Sequence, residues 1–305
     1  MRYVLLFLFP ILGIAQTPTI RQSKDLADDS VFSFTVSGNA IYAATNAGIY
    51  RSDNNGDTWV LRDQGMNGSV ARVLVADSNV IYAGTHTGVY RSDDGGATWT
   101  LKSYHLADKD VRSLIIHDSK FYAGTNNGVF RSDNGGELWY EFMDGTKNSV
   151  VESMTASGKY MYATTSKGVI RLYDDGSLWE QTNFSAKFGA LPKAGIYTSG
   201  AIAAGDSIIL IGTESGVFRS VDNGITWEKA NSGLPAGDVR TLIRNGATVY
   251  AGMERGVYSS ALHGDTWTLF AEGLNAPASA SAVKDGILFI GTMGKGVFEL
   301  RLTNN

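Results

Sequence analysis

Cysteine is missing from all 305 residues, which excludes a disulfide framework, a thiol nucleophile and a cysteine–zinc site. Histidine occurs only four times, too seldom to build a histidine-based metal centre. Neither charge sign dominates. Twenty-six basic residues face 30 acidic ones for a net charge of −4, which argues against a general binder of nucleic acid or anionic membranes. Proline is scarce, at 5 residues, whereas glycine stands at 36. That balance suits many short strands joined by tight turns.

Long apolar runs are also lacking, with one exception at the start. Met1-Arg2-Tyr3 leads into an apolar stretch from Val4 to Ala15, and the chain turns polar at Gln16. A basic start, a short apolar core, and Gly13 and Ala15 before the polar switch describe a secretory signal peptide over residues 1–15. The run is shorter than the roughly 20 residues a helix needs to cross a bilayer. The expectation is an exported chain, periplasmic or extracellular, with no membrane span after removal of the signal.

What is present is a repeat. All six tryptophans occupy one position of it: Trp59, Trp99, Trp139, Trp179, Trp227 and Trp267, spaced 40, 40, 40, 48 and 40 apart. A glycine register from Gly48 to Gly296 adds a seventh unit, so residues 16–305 form one domain of seven repeats. Unit two shows the pattern: Ala71–Val75, Val80–Thr85, Gly88–Ser92 and Thr98–Lys102 are short β-branched and aromatic runs punctuated by glycine and aspartate. Four strands per 40-residue unit predict a seven-bladed β-propeller of four-stranded antiparallel blades. The last unit stops where its fourth strand should begin. Aligning Leu26–Val31 with Leu234–Val239 leaves Pro18–Ser23 as a spare fourth strand, predicted to pair into blade seven and close the ring.

The turn Ser92-Asp93-Asp94-Gly95-Gly96-Ala97-Thr98-Trp99 resembles the Asp-box, or bacterial neuraminidase repeat, whose pattern is Ser-x-Asp-x-Gly-x-Thr-Trp. The turn from Ser220 through Asp222 and Gly224 to Trp227 also matches in full. Other copies depart from it, with Asn54 and Asn134 for the aspartate, Leu138 for the threonine, Leu172 for the serine, Leu178 before Trp179, and Leu262 in blade six. Ser92, Asp94, Gly96 and Trp99, like their blade-five counterparts, are expected to be structural: the carboxylate braces its own turn, glycine takes positive φ and tryptophan covers the hairpin. No metal and no cofactor are expected.

Asp-box propellers include sialidases, xyloglucan-degrading enzymes, sortilin-type receptors and photosystem II stability and assembly factors. A single seven-bladed ring looks most like the last group and its non-photosynthetic relatives. The sialidase pattern implies an arginine triad, a tyrosine–glutamate pair and an Arg-Ile-Pro segment, and this chain has no Arg-Ile-Pro. The resemblance therefore implies an exported, non-catalytic propeller that binds another protein, in the manner of an assembly or interaction factor. A glycan-binding propeller or a sialidase-like glycoside hydrolase is the alternative.

Candidate binding residues lie on the face opposite the Asp-boxes, where the repeat varies. The second residue of the innermost strand is Arg72, Arg112, Glu152 or Arg240 in four blades, positions that would ring the channel mouth. Those arginines either meet carboxylates of a partner or pair internally. The 48-residue interval implies an eight-residue insertion between Glu180 and Ser199, bearing Phe184, Phe188 and Tyr197, which either dock a partner or fold back as a cap. His86 and His105 share this face but lack a third ligand.

Overall fold

The computed structural model describes residue 18 and residues 20–142, 145–173, 179–188 and 201–302. The predicted signal peptide, residues 1–15, lies outside them. Seven four-stranded antiparallel sheets follow one another around a ring. In blade two the strands are Ala71–Asp77, Val80–Thr85, Gly88–Ser92 and Thr100–Leu101, running from the axis outward. The outermost strand is shorter than the sequence predicts because Thr98 belongs to the turn, its N–H donating to Asp94. Each innermost strand packs on that of the next blade, and Ala278–Lys284 of blade seven packs on Val31–Ser37 of blade one.

Blade seven takes its fourth strand from the other end of the chain. Ile20–Gln22 pairs antiparallel with Val297–Arg301, matching Ile20 with Leu300, Arg21 with Glu299 and Gln22 with Phe298. The ring is therefore closed as the spare-strand argument requires, and the sheet edge a linear array would expose is covered.

Apolar side chains alternate into the spaces between blades, where each neighbouring pair builds its own cluster. Ile81, Ala83 and Trp99 of blade two pack with Tyr42 and Met66 of blade one, for instance. The tryptophans act across these seams. Trp99, Trp139 and Trp267 donate their Nε1–H groups to carbonyls of the preceding blade, at Arg62, Lys102 and Ala230, over 2.8–2.9 Å. Trp227 instead donates within its own hairpin, to Gly224 O at 3.1 Å. The close approach demands glycine at the seam: a Cβ on Gly233, where φ is +84°, would lie 2.0 Å from the Trp267 carbonyl oxygen.

Candidate functional site

The Asp-boxes are braced turns. Ser92 Oγ donates to Asp94 Oδ1 at 2.8 Å and accepts the Gly96 N–H at 2.8 Å, while Thr98 donates its N–H and hydroxyl to the same carboxylate at 2.9 and 2.6 Å. Ser220, Asp222, Gly224 and Thr226 repeat the arrangement. The Thr98 hydroxyl and N–H hold the Asp94 carboxyl down at about 2. Between the boxes of blades one and two lies a groove of about 330 Å³ lined by Tyr42, Arg51, Asp53 and Asp93. Its polar groups already serve one another: Arg51 meets Asp53 at 2.6 Å, and the Tyr42 hydroxyl reaches Gly95 O at 3.1 Å.

On the opposite face, the second residue of the innermost strand occupies a β-bulge. Pairing skips from Val31 to Ser33, Ala71 to Val73, Val111 to Ser113, Val151 to Ser153 and Ala278 to Ala280. A bulge leaves one residue out of the ladder and re-aims its side chain, here at the channel end. In blades two to four the residues so placed are Arg72, Arg112 and Glu152, and the structure links them into one network. Arg72 pairs with Asp110, and Asn126 donates to Asp110 in turn. Arg112 donates Nε to Asn126 Oδ1 at 2.6 Å and Nη1 to Glu152 Oε2 at 3.0 Å. Burial pushes the Glu152 carboxyl above its usual range against the opposing pull of Arg112 and Arg72. Arg240 stands apart from this chain and pairs with Asp238 at 2.9 Å. All three rim arginines thus have an acidic partner within the chain.

The described start of the insertion, residues 180–188, folds inward. Phe184–Phe188 forms a one-turn helix whose Phe184 is 2% exposed, edge-on to Phe218 at 5.1 Å and to Trp227 at 5.5 Å. Phe188 is half-buried, 4.7 Å from the Phe218 ring. Phe184 is therefore corrected from candidate anchor to core residue, because edge-to-face aromatic burial in the blade-five cluster outweighs exposure. Tyr197 lies outside the described residues.

One exposed aromatic on this face went unremarked in the sequence. Tyr104, in the loop leaving blade two, is 67% exposed and lies tilted against His105 with ring centroids 4.3 Å apart. Trp139 anchors that loop by donating its backbone N–H to Tyr104 O at 3.1 Å. The same loop ends at Asp110, so the exposed ring and the ionic network share one stretch of backbone. An aromatic outside the insertion, six residues before the rim acid, was the available signal. Between the innermost strands, Phe32, Ser33, Ser153, Thr241 and Ser281 line a central cavity of about 150 Å³. Among the described residues no three histidine or acidic side chains gather as metal ligands, and no helix is long and apolar enough to cross a membrane.

Comparison with known proteins places this geometry. The extracellular domain of BT4673 from B. thetaiotaomicron superposes with a TM-score of 0.73 at 15% identity, covering 93% of this chain and 40% of that one. YCF48 from Cyanidioschyzon merolae gives 0.72 at 14% identity, covering 92% and 98%. YCF48 bound to D1 peptide gives 0.69 at 14% identity, covering 95% and 98%. Virginiamycin B lyase from Staphylococcus aureus, an enzyme, gives 0.72 at 11% identity, covering 93% and 99%. At such identities the likeness is one of fold. No curated protein matches the sequence significantly. Residues 218–229 match the BNR/Asp-box repeat. Residues 17–106 and 84–217 match the DUF6242 beta propeller domain, and since these two stretches span more than half of the sequence, the chain belongs to that family.

Proposed function

We propose that this chain is an exported, non-catalytic propeller that binds another protein through the face carrying the loops between blades. The observation that carries this reading is the pairing of an exposed, anchored aromatic, Tyr104 on His105, with the adjoining rim of Arg72, Asp110, Arg112 and Glu152. Interface hot spots favour rigid aromatics beside polar rims. The YCF48 structure holding D1 peptide supports it as a case of peptide binding on the same fold. Absence of turnover is part of the proposal. The rim carboxylates Asp110, Glu152 and Asp238 are each held by an arginine, an arrangement that favours fixed architecture over the paired acid and nucleophile of a glycosidase.

The test is a pull-down from the exported fraction, followed by affinities of three variants. Tyr104→Ala is expected to weaken binding about 30-fold, the effect of losing a 2 kcal/mol anchor. Arg112→Ala should mainly change on-rate and salt dependence, while Asp94→Ala, on the other face, should bind normally. Normal binding by Tyr104→Ala with loss in Asp94→Ala would put the site on the wrong side of the disc. Capture of a glycan instead of a protein, or hydrolysis abolished by Glu152→Gln, would replace the reading.

A further inference from the structure

Five blades carry an arginine at one register of the third strand: Arg51, Arg91, Arg131, Arg171 and Arg219. Where the following Asp-box is described, these side chains seal the seam to the next blade. Arg51, Arg171 and Arg219 donate to the carbonyls of Gly95, Asn223 and His263 at 3.0, 2.9 and 2.7 Å. Arg91 and Arg219 also meet the acid three residues after the box aspartate position, Glu137 at 3.5 Å and Asp265. In blade five the arrangement is complete: Arg219 pairs across strands with Glu228 at 2.6 Å while bonding Asp265 of blade six.

Blade seven inverts this pattern. Its third strand places Glu299 opposite Phe289, as Arg51 stands opposite Tyr42. Its cross-strand partner, on the closing strand, is Arg21. The guanidinium holds Glu299 Oε2 through Nε and Nη2 at 2.9 and 2.5 Å, and reaches Asp57 of the blade-one Asp-box through Nη1 at 2.6 Å. Asp57 occupies the turn position of Glu137 and Asp265. The Glu299 side chain is 7% exposed, with Oε1 unpartnered and packed where a Cβ on Gly56 would lie. Arg21 is thus the counter-ion of a buried acid and, simultaneously, the seam arginine that blade seven lacks on its own third strand.

We infer that this charge inversion is the address for ring closure: the seam arginine rides on the N-terminal strand, so docking that strand onto blade seven and sealing blade seven to blade one are a single event. A strand without a cation at this register leaves Glu299 buried and uncompensated, which is strongly unfavourable. A strand with an acid there, as Glu180 and Glu228 are in blades four and five, is repelled.

A charge swap in the full chain tests this. Arg21→Glu and Glu299→Arg each place like charges together, and each should lower Tm by at least about 3 °C. Each should also speed hydrogen exchange both at Ile20–Gln22 and in the blade-one turn around Asp57. The double variant recreates the blade-five arrangement, with arginine on the third strand facing a glutamate and an Asp-box acid, and should regain most of both losses. A double variant that melts no higher than the poorer single overturns the inference. So does fraying of Ile20–Gln22 with unchanged exchange around Asp57, because docking and sealing would then be separate. Should the singles fail to fold, the double decides alone: near-normal melting supports the address and failure to fold refutes it.

Discussion

Asp94 in blade two and Asn54 in blade one brace their turns through the same contacts. Asn54 Oδ1 accepts from Ser52 Oγ and the Thr58 N–H at 2.9 and 3.0 Å, as Asp94 Oδ1 does from Ser92 and Thr98. Only the second branch differs: Asn54 Nδ2 donates to the Thr58 hydroxyl, whereas the Thr98 hydroxyl donates to Asp94. A threonine hydroxyl rotates to suit either partner, so the box needs an acceptor rather than a charge. Asp94→Asn is therefore expected to be close to neutral at pH 7, and Asp94→Ala to cost about 1 kcal/mol. The pH dependence separates them further. Because the folded carboxyl sits at about 2, below its ordinary value of 3.8, its contribution is full above that value and is lost as pH falls through 2. Melting curves between pH 4 and 2 should fall less steeply for Asp94→Asn than for the parent. Trp227 shows the other extreme of the same motif. It is 1% exposed, and Trp227→Ala should cost about 3–5 kcal/mol in urea denaturation.

At the scale of elements, the insertion shows where sequence reasoning stops. Its length and aromatic content are plain in the sequence, but the direction of its rings depends on a cavity that only the packed blades define. The helix Phe184–Phe188 is too short to persist alone. It is held by Phe184 in the blade-five cluster, by Lys187 Nζ donating to Trp227 O at 2.7 Å and by Ser185 Oγ donating to Lys167 O at 2.8 Å. Phe184→Ala should therefore cost about 3–5 kcal/mol. Phe188→Ala should cost clearly less, since its ring is half-buried. Equal losses, or none from Phe184→Ala, would contradict this account. The channel mouth was half legible for a related reason. The repeat register singled out Arg72, Arg112, Glu152 and Arg240, because their shared position varies from blade to blade. It did not single out Asp110, Asn126 and Asp238, whose role depends on which arginine each meets once the loops are folded. The bulge that turns Arg72, Arg112 and Glu152 is likewise a backbone event without a residue signature.

At the scale of the whole molecule, the architecture was legible because a ring multiplies one local signal seven times, and because closure leaves a countable remainder. The missing strand of blade seven and the spare segment before Leu26 are the same fact seen from two ends of the chain. Closure also concentrates risk. Removing residues 16–23 would strip Ile20–Gln22 from Val297–Arg301, uncover the edge beside the fully buried Leu300 and leave Glu299 without Arg21. The rest of the ring would keep its six complete blades, so secondary structure by circular dichroism should change little. The new edge pairs an apolar strand with free backbone donors and acceptors, the arrangement most prone to edge-to-edge association. The truncated chain should accordingly melt well below the chain that keeps these residues, with light scattering that rises with concentration. Arg21→Ala keeps the backbone pairing and loses only the ionic clasp, so it should melt between the two without the concentration-dependent scattering. Melting of the truncated chain at the temperature of the chain that keeps the strand, without association, would mean that blade seven is stable with three strands and that the N-terminal strand does not close the ring energetically.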